Sequence, residues 1–295
     1  MGDQHKVIVR LRGGLGNQIS CFFAGLYLAR INNATLILDG RYIKFGGNPH
    51  RSLEINQLDL RIPGQQIFFK RTIPLPKSRI GRKIARPMLE PISKALSMLE
   101  KSPVLRDKDS LIDLKINSDV ILDGYFPDYA YFEPCYEDFL MQSLRPLTIS
   151  HTFQEALNAV KAKVSLHIRL GDYLLHPETY PIPSEGYYTR ALELTQGTEI
   201  GYNVFVESVE EARERFPRIL AGAERIFTNK DFSSAETLCL MSNSKHLITA
   251  NSSFSSWAGI YVSKSNGIVV VPDRITHEYW EDNRPKEWIR TKLIN

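Results

Sequence analysis

Residues 6–39, KVIVRLRGGLGNQISCFFAGLYLARINNATLILD, decide the fold class. Lys6 to Leu11 is a short apolar run of strand character that stops at Gly13-Gly14. From Asn17 to Arg30 the apolar residues Ile19, Phe22, Phe23, Leu26 and Tyr27 recur at helical spacing, and Thr35–Asp39 reads as a second strand. Strand, glycine turn, helix and strand open a βαβ unit whose glycine loop lies at the carboxyl end of the first strand.

The same alternation returns from Thr152 onward. Helices are predicted at 153–162, 186–194, 209–220, 235–241 and 254–262, and strands at 164–170, 202–206, 225–228, 246–249 and 267–271. That order predicts a mainly parallel sheet with helices on both faces. Between the two blocks, residues 46–75 are irregular and Asp119–Tyr125 is a further strand followed by the aromatic run FPDYAYFEPCYEDF. Lys77 to Leu99 reads as a basic amphipathic helix broken at Pro87 and Pro91. It is either a cover for the first lobe or a surface for anionic lipid or a lipid-linked ligand. A chain of 295 residues favours two domains, taken as 1–148 and 149–295 around Pro146, with a last helix returning to the first lobe.

Apolar residues at 43% and charged residues at 24% are those of an ordinary folded protein. A net charge of +4, with basic residues scattered except between Lys70 and Lys101, and no aromatic stacking motif, gives no footprint for nucleic acid. Cys21, Cys135 and Cys239 are far apart without a Cys-x-x-Cys pair. They argue against a disulfide framework and a thiolate metal site, and for a reducing compartment. With no signal-like start and no apolar run near the ~20 residues of a membrane helix, the expected location is the cytoplasm, with at most peripheral contact at the inner membrane face.

Three polar turns fall where strands end. Gly13-Gly14-Leu15-Gly16-Asn17-Gln18 lacks β-carbons and precedes a helix, which suits a phosphate or a sugar hydroxyl, or simply a tight turn. It has neither the Gly-Lys-Ser/Thr of a P-loop nor the spacing of a dinucleotide fingerprint, which disfavours a dehydrogenase. In His167-Ile168-Arg169-Leu170-Gly171-Asp172-Tyr173, alternation places His167 and Arg169 on one side of a strand. A guanidinium there needs a partner, either a bound diphosphate or Asp172. In Thr249 to Trp257, hydroxyls and amides at a helix start grip phosphate oxygens or serve as N-caps. Open α/β sheets bind ligands at strand carboxyl ends, where all three lie.

GGLGNQ, HIRLGDY and NSSFSSW, in this order and spacing, resemble the signature set of glycosyltransferase family 11, the α-1,2-fucosyltransferases. LDGYFPDYAYFEP, SEGYYTRALEL, IFTNKDF and ETLCLMSNSKHLITANSSFS are similar to further family segments, the third to an FSDD-like turn, whereas residues 64–117 match little. The resemblance implies a GT-B-like α/β fold of two Rossmann-type lobes, an acceptor-side first lobe and a donor-binding second, with the ligand cleft between them. It implies GDP-β-L-fucose as donor substrate, the 2-hydroxyl of a galactoside as acceptor, lipid-linked or free, inversion at the anomeric carbon, and neither cofactor nor metal. By the same resemblance Arg169 holds the β-phosphate, and His167, Asn251, Ser252, Ser253, Phe254 and Ser255 line the nucleotide. By that resemblance Gly14 and Gly16 of the first loop also bind the donor, and Asn17 is a catalytic residue placed near the fucose and the reacting hydroxyl.

Leu170 stands where many relatives carry a second Arg, and Asn229 and Lys230 stand where carboxylates are usual. Asn229 offers the guanine edge one acceptor and one donor group where a carboxylate would accept two hydrogen bonds. Asp172, Asp128 and Glu133 are candidates for a general base, Asp172 more readily as a partner that orients Arg169. Asp107-Lys108-Asp109 matches the Asp-x-Asp of metal-dependent transferases but lies in a polar stretch read as a solvated loop. The competing readings are a transferase with another donor or acceptor and a non-catalytic module that binds nucleotide or glycan.

Overall fold

Val7, Ile8 and Val9 are all buried, as a strand covered on both faces requires. In the computed structural model, which describes residues 4–41, 43, 51–62, 64–70, 101–135, 145–274 and 284–293, they form the centre of β1 (Lys6–Arg10). The chain divides into two compact units, residues 1–56 with 60–142, and residues 57–59 with 143–295.

The first unit is a parallel sheet in the order β3-β2-β1-β5-β4, with β2 at Thr35–Asp39, β3 at Ile67–Lys70, β4 at Val104–Leu105 and β5 at Val120–Leu122. Helix α1 (Leu15–Ile31) is buried almost all round from Leu15 to Ala29. It lies close on β1, since a β-carbon at Gly25 would come within 2.2 Å of Val9 Cγ2. The aromatic run beyond β5 forms two short 3-10 turns, Tyr129–Tyr131 and Glu133–Cys135.

The second unit is a six-stranded parallel sheet in the order β11-β10-β9-β6-β7-β8. Its strands are β6 (Val164–Ile168), β7 (Tyr202–Val206), β8 (Arg225–Phe227), β9 (His246–Ile248), β10 (Val269–Pro272) and β11 (Ile289–Thr291). Its helices are α2 (Phe153–Lys161), α3 (Glu185–Leu194), α4 (Gly197–Ile200), α5 (Val209–Arg215), α6 (Pro217–Ala221), α7 (Ser234–Ser242) and α8 (Ser253–Lys264). Ser184, Ser208 and Ser233 cap α3, α5 and α7, the last in a capping box with Glu236. The core packs Val164, Leu166, Ile168, Val204, Val206, Ile248 and Val270 against Tyr187, Tyr188 and Phe216.

Two expectations change in detail. The single helix predicted over 209–220 is two, because Pro217 has no N–H to continue the first and instead opens the second. The strand predicted to reach residue 170 ends at Ile168, since Gly171 takes φ +39° and the chain enters a 3-10 turn over Gly171–Leu175. The basic helix predicted over 77–99 and most of the stretch where a last helix was expected lie outside the described residues.

The strand order fixes where a site belongs. In the second unit the chain runs outward from β6 to β7 and β8, then crosses to β9, β10 and β11 on the other side. The switch point is between β6 and β9. In the first unit the same reasoning puts it between β1 and β5.

Candidate functional site

Leu166 and Ile248 are the last paired residues of β6 and β9, so His167 and Thr249 stand one step further along neighbouring strands at the switch point. His167 is 5% exposed and its Nδ1 has no hydrogen-bond partner; Thr249 is fully buried and its Oγ1 has none either. Buried polar atoms are paired in the great majority of cases, and each such orphan costs about 1–3 kcal/mol. Two of them stand on neighbouring strands at the switch point, each with hydrogen-bonding capacity left over. Burial, and then the charge of Arg169, pushes His167 down to about 3, so the imidazole is neutral at ordinary pH. The positive charge at this edge is therefore carried by Arg169.

Arg169, its side chain 17% exposed, leaves β6 and is gripped from two sides. Nη2 pairs with Asp172 on the same loop, and Nη1 pairs with Glu207, the first residue after β7. Its guanidinium carbon stands 5.4 Å from the centroid of the Tyr173 ring, which stacks on Tyr180 at 4.6 Å. Tyr173 donates to the carbonyl of Asn251 at 2.9 Å and so ties the loop after β6 to the loop after β9. Burial raises the Tyr173 phenol, keeping it a neutral donor. Asn251 Nδ2 in turn donates to Pro181 O at 2.6 Å.

Helix α8 starts beside this pair of loops. Its N-cap, Ser252, makes no side-chain capping bond, Ser255 Oγ donates to Ser252 O at 3.3 Å, and the first turn has no acidic residue. The N-capping role open to Ser252 on sequence alone is thus not taken, and the positive end of the helix is not neutralised from within its first turn. Phe254 packs on His167 with ring centroids 5.8 Å apart. The structure thus gathers His167, Arg169, Asp172, Asn251, Ser252, Ser253, Phe254 and Ser255 around one switch point. Asn229 is apart from them. It is exposed beyond β8, the outer strand two places from β6.

Gly14, Gly16 and Asn17 belong to the first unit, in the loop after β1 and the first turn of α1. Gly13 adopts φ +67°, and a β-carbon there would fall 2.5 Å from Asn17 Nδ2. Gln18, fully buried, donates from Nε2 to Gly13 O (3.0 Å) and Ser52 O (2.9 Å). Its Oε1 accepts from Glu54 N and Ile55 N, both at 3.0 Å, and so pins the loop to residues 52–55. At the same switch point Asp123 pairs with both Arg10 and Arg12.

Asp128 accepts from Ala130 N at 2.9 Å as the cap of a 3-10 turn, and Glu133 is exposed in the next. Asp107 lies in the exposed turn expected, and its Oδ1 also accepts from Tyr125 N and Phe126 N, both at 2.6 Å. Among the described residues, no group of three His, Cys, Asp or Glu could hold a metal ion. None of the described helices is long and apolar enough to cross a membrane. The residue sequence reasoning missed is Glu207. The available signal was a carboxylate one step past a buried strand that pairs with the strand of Arg169.

Two parallel sheets make this an α/β protein of GT-B-like fold with two Rossmann-type units. Residues 107–292, more than half of the chain, match the family model for glycosyl transferase family 11, and the chain belongs to that family. It is 25% identical over 299 residues to an α-1,2-colitosyltransferase of Escherichia coli, covering 96% of this chain and 98% of the relative. It is 26% identical over 288 residues to the O-antigen biosynthesis glycosyltransferase WbnK of Escherichia coli, covering 89% and 92%. The fold resembles that of a family 9 glycosyl transferase from Veillonella parvula DSM 2008, with a TM-score of 0.50 at 12% identity over 99% of this chain and 86% of that one.

Proposed function

We propose that the protein is an inverting, metal-independent transferase that moves L-fucose from GDP-β-L-fucose to the 2-hydroxyl of a galactoside, free or lipid-linked. The observation that carries the donor site is the pair of buried, partnerless atoms, His167 Nδ1 and Thr249 Oγ1, beside Arg169 and the start of α8. A diphosphate offers acceptor oxygens to the Thr249 hydroxyl, to the helix N–H groups and to the guanidinium N–H groups that Asp172 and Glu207 do not engage.

In an inverting transfer the acceptor hydroxyl attacks the anomeric carbon while the diphosphate leaves with growing negative charge. Arg169 and the helix dipole meet that charge more strongly in the transition state than before it, which is what raises turnover. His167, neutral, contributes a hydrogen bond and no charge. Asp172 orients Arg169 and is thereby disfavoured as the base.

The relative named as a colitosyltransferase favours a second reading in which the sugar is colitose, which is fucose without its 3-hydroxyl. The two readings part at that one hydroxyl. Incubation with GDP-fucose and with GDP-colitose over a panel of galactosides, in EDTA, followed by linkage analysis of the products, separates them. Transfer of fucose in α-1,2 linkage sustains the first reading, and transfer of colitose alone replaces it with the second. Binding of GDP without transfer from either sugar overturns both in favour of a binding module.

A further inference from the structure

Glu207, directly after β7, reaches Arg169 from the neighbouring strand's end, and the loop is shaped around it. A β-carbon at Gly171 would lie 2.3 Å from Glu207 Oε2 and 3.2 Å from Oε1, and Gly171 itself takes φ +39°. The glycine of HIRLGDY therefore admits a carboxylate as well as a turn. Arg169, with Glu207 on Nη1 and Asp172 on Nη2, forms a trio whose charges sum to −1. A nucleoside diphosphate arriving at the guanidinium adds further negative charge to that trio.

We propose that Glu207 is a positioning residue that aims the Arg169 guanidinium and opposes the charge of the nucleotide, so that the spent nucleoside diphosphate is bound weakly and released fast. This rests on the reading of Arg169 as the diphosphate's partner. Asp172 lies on the same loop as Arg169, three residues on, whereas Glu207 directly follows β7 and is packed against Gly171, so its charge is placed from outside that loop. The guanidinium has five N–H donors, of which these two contacts engage one each, leaving the remainder for phosphate oxygens.

Glu207→Gln keeps the shape and one acceptor for Nη1 while removing the charge. The expected result is GDP and inorganic pyrophosphate bound about tenfold tighter by calorimetry, with release of a fluorescent GDP slowed by a similar factor, and a difference from wild type that shrinks as salt is added. Glu207→Asp keeps the charge and shortens the reach, so kcat falls while GDP affinity stays near that of wild type. A purely structural role for Glu207 moves neither affinity nor its salt dependence in the Gln variant. Unchanged or weaker GDP binding by Glu207→Gln, with binding lost in Arg169→Ala, overturns the inference and leaves the donor site standing. GDP binding by Arg169→Ala as tight as by wild type removes the donor-site reading, and this inference with it.

Discussion

Replacing His167 by Gln changes how stability depends on pH, and the magnitude follows from its burial. The folded imidazole titrates at about 3 against an ordinary value of 6.5, because burial and Arg169 both disfavour its charged form. As pH falls below 6.5 the unfolded chain takes up a proton that the folded chain refuses, so stability is lost on acidification and is unaffected above that range. The slope is about 1.4 kcal/mol per pH unit until the folded group itself titrates, which amounts to about 2 kcal/mol between pH 7 and pH 5. Urea unfolding of wild type and His167→Gln, side by side from pH 8 to pH 5, reads this directly. His246 is also lowered by burial, but it is common to both proteins and cancels in the difference. The variant is expected to hold its stability on acidification better than wild type by about 2 kcal/mol at pH 5. If the two curves run parallel, His167 carries its charge in the folded protein and the description of a neutral imidazole beside Arg169 is wrong.

Arg169→Ala is expected to lower turnover by a factor on the order of 10²–10³ with an unchanged circular dichroism spectrum, and near-native turnover removes its catalytic assignment. Gln18→Ala strands four backbone groups of the glycine loop and residues 52–55, and is expected to cost about 3 kcal/mol in chemical denaturation. Cys21 is fully buried, and burial pushes its thiol up to about 12, so a thiol reagent at pH 8 is expected to label it only after unfolding; labelling in the native protein contradicts the packing.

The elements legible in the sequence were those whose apolar pattern is set by burial. Thr35–Asp39 and Tyr202–Val206 are strands at the expected residues, because they are covered on both faces and so read as short continuous apolar runs. β3, β4 and β11 were not legible. They lie at sheet edges, two to four residues long, and Phe68 and Phe69 of β3 are exposed, so pairing with a neighbour rather than a hydrophobic run makes them strands. The three polar turns could be located because strand ends were. What could not be read was which turn meets which. The pairing of Arg169 with Glu207, thirty-eight positions away, depends on β7 lying beside β6. Asn229, chosen by likeness to a motif, stands beyond an outer strand, and only strand order reveals that.

The short segment 57–59 belongs to the second unit although it is flanked by the first. Leu58 bridges Pro146, Asp59 N donates to Arg145 O at 3.0 Å, and Leu147 N donates to Gln57 O at 2.7 Å. On the ribosome these three residues emerge long before the stretch that receives them, and must wait unpaired while the remainder of the first unit is made. A cut at Pro146 made to express the units separately would leave each fragment with half of this seam, so the gene does not divide where the chain appears to.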